Sequence, residues 1–171
     1  MTVYVALLRG VNLLGVSTLK MTDLKAIADK LGLKQARTYI ASGNLLFTSS
    51  KSEHALKSAL EKALGAHWGV TVDVVIRTAE ELTQVAGANP FGDEPGNRVA
   101  AIFLDSPPPA DALDVAKGAA DERMAFGARE IYVHYPSGMG RSKLRIPAAK
   151  TGTARNMNTV AKLAQLAKEM A

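Results

Sequence analysis

Four short stretches of this chain concentrate residues with binding chemistry. They are Arg9-Gly10-Val11-Asn12, Ser42-Gly43-Asn44, Ser137-Gly138-Met139-Gly140-Arg141-Ser142-Lys143 and Thr153-Ala154-Arg155-Asn156-Met157-Asn158-Thr159. All are rich in hydrogen-bond donors and none contains Asp or Glu. Glycine lets a backbone approach a ligand closely, and Arg and Lys supply charge and forked donors. The pattern suits an anionic small molecule bearing phosphate or carboxylate. The candidate ligand-binding residues are Arg9 and Asn12; Ser42, Gly43 and Asn44; Gly138, Arg141, Ser142 and Lys143; and Arg155, Asn156 and Asn158.

Each stretch also has a plainer explanation. Gly43-Asn44 is common turn chemistry, and Asn12 can satisfy loop backbone. For Ser42 to Asn44 alone the turn reading is preferred. Arg9 ends an apolar run, and a strand-end Arg needs a partner. A ligand would serve, and so would Asp73 or Glu53. The loop from Gly138 to Lys143 is glycine-rich and basic but lacks the spacing of a nucleotide-binding P-loop. Thr153 to Thr159 is expected to open the last helix, where Thr153 and Asn156 can act as caps. Arg155 would then be a cation at the positive end of the helix dipole, which argues for an anion nearby.

The catalytic inventory is thin. His54, His67 and His134 are scattered, with no metal-ligand spacing to another His or acid. No nucleophile elbow and no paired-carboxylate site is found. No cofactor and no metal are expected. Whether the chain is an enzyme stays open; if it is one, positioning and charge stabilisation in group transfer is the fitting mode.

Charge sharpens the picture. The chain has 171 residues and a net charge of +5. Ser137 to Asn158 holds Arg141, Lys143, Arg145, Lys150 and Arg155 and no acid. Setting those five aside from the 21 basic residues leaves 16, which balances the 16 acids. The whole excess therefore sits in one segment. It is either a solvated loop or an anion-facing surface.

The elements that must position these residues follow from apolar spacing. At 47% hydrophobic and 22% charged, the chain can build a core, mostly from aliphatic residues because aromatics are 5%. No Cys is present, which excludes disulfides and thiolate chemistry and fits a cytoplasmic location. No stretch reaches membrane-spanning length, and no signal peptide is read. Val3 to Leu8 reads as a buried strand. Leu24, Ile27, Ala28 and Leu31 fall at helical spacing. Arg37–Ile40 and Leu45–Thr48 flank Ser42-Gly43-Asn44 as a hairpin. Ser52 caps a helix carrying Leu56, Ala59, Leu60 and Ala63, and Thr71 to Ile76 is a strand. The order β-α-β-β-α-β is a split βαβ unit over residues 1–77.

Residues 78–171 are expected to form a second α+β subdomain with a C-terminal helix. Thr78 to Glu81 is a capping box, Asn89-Pro90-Phe91 breaks the helix it opens, and Val99 to Leu104 is a strand. A helix is expected near Asp111 after the three prolines. Met124–Phe126 and Glu130–Tyr135 form a second hairpin about Gly127. The last helix aligns Met157, Val160, Leu163, Ala164, Ala167 and Met170. The fold class is α+β, with two ferredoxin-like subdomains packed together. In this topology the end of the first strand and the first hairpin share one sheet edge, so Arg9 and Asn12 should neighbour Ser42 and Asn44.

An RNA recognition motif shares the topology but fails on its aromatics. Its third strand should present stacking rings, and here it reads Ser42-Gly43-Asn44-Leu45-Leu46-Phe47. Tyr4 is therefore read as core.

The chain resembles the mainly bacterial family known as domain of unknown function 1697. The resemblance rests on Tyr4 to Asn12, Thr38 to Phe47, Asn89-Pro90-Phe91 and Ala154 to Val160. Met157 stands where that family generally carries Trp, so no stacking ring is available there. The resemblance implies two ferredoxin-like subdomains and implies no activity. The leading expectation is an anionic small ligand. The alternatives are a nucleic-acid-binding module using residues 141–155, or a structural interaction protein. No membrane partner is expected, and oligomeric state is left unassigned.

Overall fold

The computed structural model describes residues 1–10, 19–40 and 42–171. The architecture is mixed α and β, with two four-stranded antiparallel sheets. By compactness the chain divides into one unit of Met1–Glu81 with Gln165–Ala171 and another of Leu82–Ala164.

In the first unit the elements are β1 (Thr2–Leu8), α1 (Met21–Lys30), β2 (Lys34–Thr38), β3 (Asn44–Ser49), α2 (Glu53–Trp68) and β4 (Val74–Thr78). The sheet order is β2-β3-β1-β4, the split βαβ arrangement. The pleat sorts side chains onto two faces. One carries Tyr4, Ala6, Leu8, Leu45, Phe47, Val74 and Ile76, and packs with Leu24, Ile27, Leu56 and Leu60 from the two helices. The other carries Val5, Leu7, Asn44, Leu46, Val75 and Arg77, all buried. Tyr4 is core, its ring stacked on Phe47 and its hydroxyl donating to Lys51 O. Ser52 caps α2 by accepting from Ala55 N, and Gly69 ends it in the left-handed region at φ 75°.

The second sheet repeats the order. The elements are α3 (Ala79–Gly87), β5 (Val99–Phe103), β6 (Arg123–Phe126), β7 (Glu130–His134), β8 (Thr153–Asn156) and α4 (Met157–Glu169), with strands in the order β6-β7-β5-β8. Thr78 and Glu81 exchange bonds as the expected capping box of α3. Two expectations fail here. The helix near Asp111 is a series of turns, closed by Ala112 N to Pro109 O and Asp114 N to Asp111 O. Three consecutive prolines supply no N–H, so no helical ladder is nucleated across them. Thr153 to Asn156 does not open the last helix. It is β8, paired antiparallel with β5 from Ala100↔Asn156 to Phe103↔Thr153. Pairing to a buried strand overrides the weak local preferences of Thr-Ala-Arg-Asn.

One face of this second sheet is mainly apolar, with Asn156 of β8 its polar position. Ile102, Ile131 and Val133 are covered by Ala112, Leu113, Ala116, Leu144 and Ile146, which come from turns and extended chain instead of helices. The opposite face aligns Glu130, Tyr132 and His134 of β7 with Thr153 and Arg155 of β8, and all five are buried. Among the described residues no helix is long and apolar enough to cross a membrane.

Candidate functional site

The sheet edge expected from topology is present in the first unit. Leu7 pairs with Asn44, Leu8 N donates to Gly43 O, and Arg9 N donates to Asp73 O. Arg9 therefore neighbours Ser42 to Asn44, while Asn12 lies outside the described residues. The chemistry at this edge is largely satisfied within the protein. Asn44 is buried, and its Nδ2 donates to Tyr39 O at 2.9 Å and Ser42 Oγ at 3.0 Å. Those bonds close the β2–β3 turn. Arg9 Nη1 lies 3.5 Å from Asp73 Oδ2, both half-exposed. Ile40 in the same turn has φ 49°, a strained value for a β-branched residue.

In the second unit Gly138 takes φ 91° and leads into a 3-10 turn, Met139–Arg141. Ser142 Oγ accepts from Leu144 N, and Ser137 Oγ donates to Asp121 at 2.6 Å. The following chain alternates. Arg141, Lys143 and Arg145 face solvent, while Ser142, Leu144 and Ile146 turn inward. Arg145 forms a bridge with Lys117 through Lys117 N to Arg145 O at 2.8 Å and Arg145 N to Lys117 O at 2.7 Å. Gly118 closes this bridge at φ 78°, where an added Cβ would meet Lys143 O at 2.2 Å. The result is a row of exposed cations, Arg141, Lys143 and Arg145, with Lys117 opposite and Lys150 beyond. Among the described residues none of these five has an ion-pair partner.

Arg155 belongs to a different environment. It is buried in β8, where Nη1 donates to Thr153 Oγ1 at 2.7 Å and Ala154 O at 2.9 Å. Burial lowers its pKa from the ordinary guanidinium value to about 10. The helix-dipole argument for an anion at Arg155 lapses, because Arg155 is not in a helix. Asn156 has the role capping provides, with Oδ1 accepting from Thr159 N at 2.9 Å. Asn158 is exposed and crowds Gly96, where an added Cβ would lie 2.1 Å from Asn158 Oδ1.

Sequence reasoning missed two charged positions. Arg77, the most buried cation at 1% exposure, lies one residue past the expected strand and donates from Nη1 to Ile76 O. A β-branched run ending in Arg was the available signal. The second is a cluster around His134, which is buried in β7. Its ring meets Arg123, Glu94 and Phe91. These four residues are spread over more than forty positions, so spacing gives no hint.

A cavity of about 570 Å³ lies at the other end of the first sheet, beside Thr2, Thr48 and Thr78. Its lining has Gln35 and Glu80, both exposed, and no Lys or Arg. Among the described residues no cluster of His, Asp and Glu could hold a metal ion.

Comparison with known proteins gives kinship without an activity. The family described as protein of unknown function (DUF1697) matches residues 1–132. The structure of conserved bacterial protein SP0830 from Streptococcus pneumoniae is similar, with a TM-score of 0.80 at 25% sequence identity. The match covers 97% of this chain and 98% of that one. No curated protein matches.

Proposed function

This chain belongs to the DUF1697 family, and from its surface charge we propose that it binds a phosphate-bearing ligand through Arg141, Lys143 and Arg145. The observation that carries the reading is the row of exposed cations with no counter-ion among the described residues. Like charges held side by side repel, and a bound anion relieves that repulsion. The bridge to Lys117 and the left-handed Gly118 fix the backbone of the row, so little order has to be acquired on binding.

Arg9, Ser42, Asn44 and Arg155 contribute less to this reading, because each makes bonds inside the protein. An open line of cations suits an extended polyanion such as a single-stranded nucleic-acid backbone better than a compact metabolite. The rings of the first sheet, Tyr4 and Phe47, are buried and cannot stack on bases as in the RNA recognition motif, so binding is expected to be electrostatic and tolerant of sequence.

Fluorescence anisotropy with a labelled oligonucleotide at several salt concentrations tests the proposal. Each phosphate neutralised on a single strand contributes about −0.7 to the slope of log K against log salt. Three contacts predict a slope of about −2. Salt-independent binding, or the same slope after replacing all three cations with Ala, would be incompatible with the proposal.

A further inference from the structure

We infer that Arg123, Glu94 and His134 form a proton-operated latch, in which protonation of His134 Nδ1 expels the Arg123 guanidinium from its place over Phe91. His134 is buried in β7 and Arg123 stands opposite it in β6. Arg123 Nη2 lies 3.0 Å from His134 Nδ1. A guanidinium has only donors, so Nδ1 must be the acceptor. The single proton of the neutral imidazole is then on Nε2, which faces Glu94 Oε2 at 3.5 Å. The contact itself fixes the tautomer.

The other half of the latch is the seat of Arg123. Its guanidinium carbon lies 5.0 Å from the Phe91 ring centre, and Nη2 is 3.4 Å from Glu94 Oε1. The backbone N of Phe91 donates to Asn89 Oδ1 at 2.9 Å. The Asn89-Pro90-Phe91 motif thereby presents the ring. Phe91 also lies tilted against the His134 ring, with centroids 5.8 Å apart.

A second proton on His134 has one place to go, Nδ1. An N–H would then face the N–H of Arg123, and two cations would stand 3.0 Å apart around one carboxylate. One must leave. The His134 side chain is 6% exposed and cannot reach water, while Arg123 is 56% exposed and can. Glu94 remains beside the imidazolium. The charged groups that face the imidazole among the described residues are these two, Glu94 from the segment after α3 and Arg123 from β6. Arg98, in the turn before β5, directs its guanidinium to Pro136 O instead. Proton uptake therefore places a cation in solvent and uncovers one face of Phe91.

Nitrogen-15 NMR of the histidine rings, with a pH titration of the Phe91 ring and Arg123 side-chain signals, tests the latch on the whole chain. The expected result is a protonated Nε2 at neutral pH. On acidification the Phe91 and Arg123 signals should shift with the midpoint of His134. In His134→Gln the amide oxygen can accept from Arg123 and the amide NH₂ can donate to Glu94, without titrating, so both signals should stay flat over that range. If that variant fails to fold, Arg123→Met should leave His134 titrating while the Phe91 signals, still beside His134, shift less than in the wild type. A protonated Nδ1 at neutral pH, or Phe91 and Arg123 signals indifferent to the His134 titration, would overturn the inference.

Discussion

Substituting Gly118 should cost more than its backbone angle alone explains. Its φ of 78° already penalises any side chain, by about 1–2 kcal/mol for the left-handed region. An alanine Cβ would also meet Lys143 O at 2.2 Å and Lys143 C at 3.0 Å. Those atoms are backbone, so no flexible side chain can yield. Relief requires opening the Lys117–Arg145 bridge, with two hydrogen bonds of 2.8 and 2.7 Å. At about 0.5–1.5 kcal/mol net each, their loss adds about 1–3 kcal/mol. Gly118→Ala should therefore lose about 2–5 kcal/mol in urea denaturation. Gly138 is the internal control. Its φ of 91° carries the same kind of strain, but an added Cβ meets nothing within 4 Å, so Gly138→Ala should lose only about 1–2 kcal/mol. Hydrogen exchange at the Lys117 and Arg145 amides reads the bridge directly and should accelerate only in Gly118→Ala. Equal costs for the two variants, with both amides still protected, would show that the Lys143 contact carries none of the loss.

Further outcomes follow from single contacts. Burial and then the Glu130 carboxylate push the Tyr132 phenol up to about 12. A raised folded pKa means this contribution is intact below pH 10 and lost as pH rises from 10 toward 12. The loss is at most about 2.7 kcal/mol, at about 1.4 kcal/mol per unit. Tyr132→Phe should lack that alkaline loss and should cost about 1–3 kcal/mol at pH 7, since Val85 O loses its 2.8 Å donor; equilibrium unfolding across pH checks both. Asn44→Ala removes buried bonds to Tyr39 O and Ser42 Oγ, and urea unfolding should show a loss of about 1–3 kcal/mol. Arg9→Ala breaks a half-exposed pair with Asp73, and the loss of that pair should change stability by less than about 1 kcal/mol by the same assay.

The first split βαβ unit is legible in the sequence because its signals are local and agree. Val3 to Leu8 is a buried strand, Ser52 caps a helix, and Gly43-Asn44 turns a hairpin. The second unit is legible in its strands β5, β6 and β7 but not in β8. Thr153-Ala154-Arg155-Asn156 has no apolar alternation, and only pairing with β5 makes it a strand. The difference reaches the chemistry, because a dipole argument for Arg155 holds only in a helix. The covering of Ile102 and Val133 by turns is equally hidden, since turns carry no periodicity. At the candidate site, charge counting finds Arg141, Lys143 and Arg145, and the alternation of exposure needs coordinates. Arg9's two rivals as partner, Asp73 and Glu53, can be named from sequence. Among the described contacts it is Asp73 that stands beside it.

Arg141, Lys143 and Arg145 are the proposed binding surface for phosphate. The most direct test is the salt dependence of oligonucleotide binding by the wild-type chain and by the variant with all three changed to Ala. The expected slope is about −2 for the wild type and close to zero for the variant. Equal slopes and equal affinities for the two proteins would contradict it.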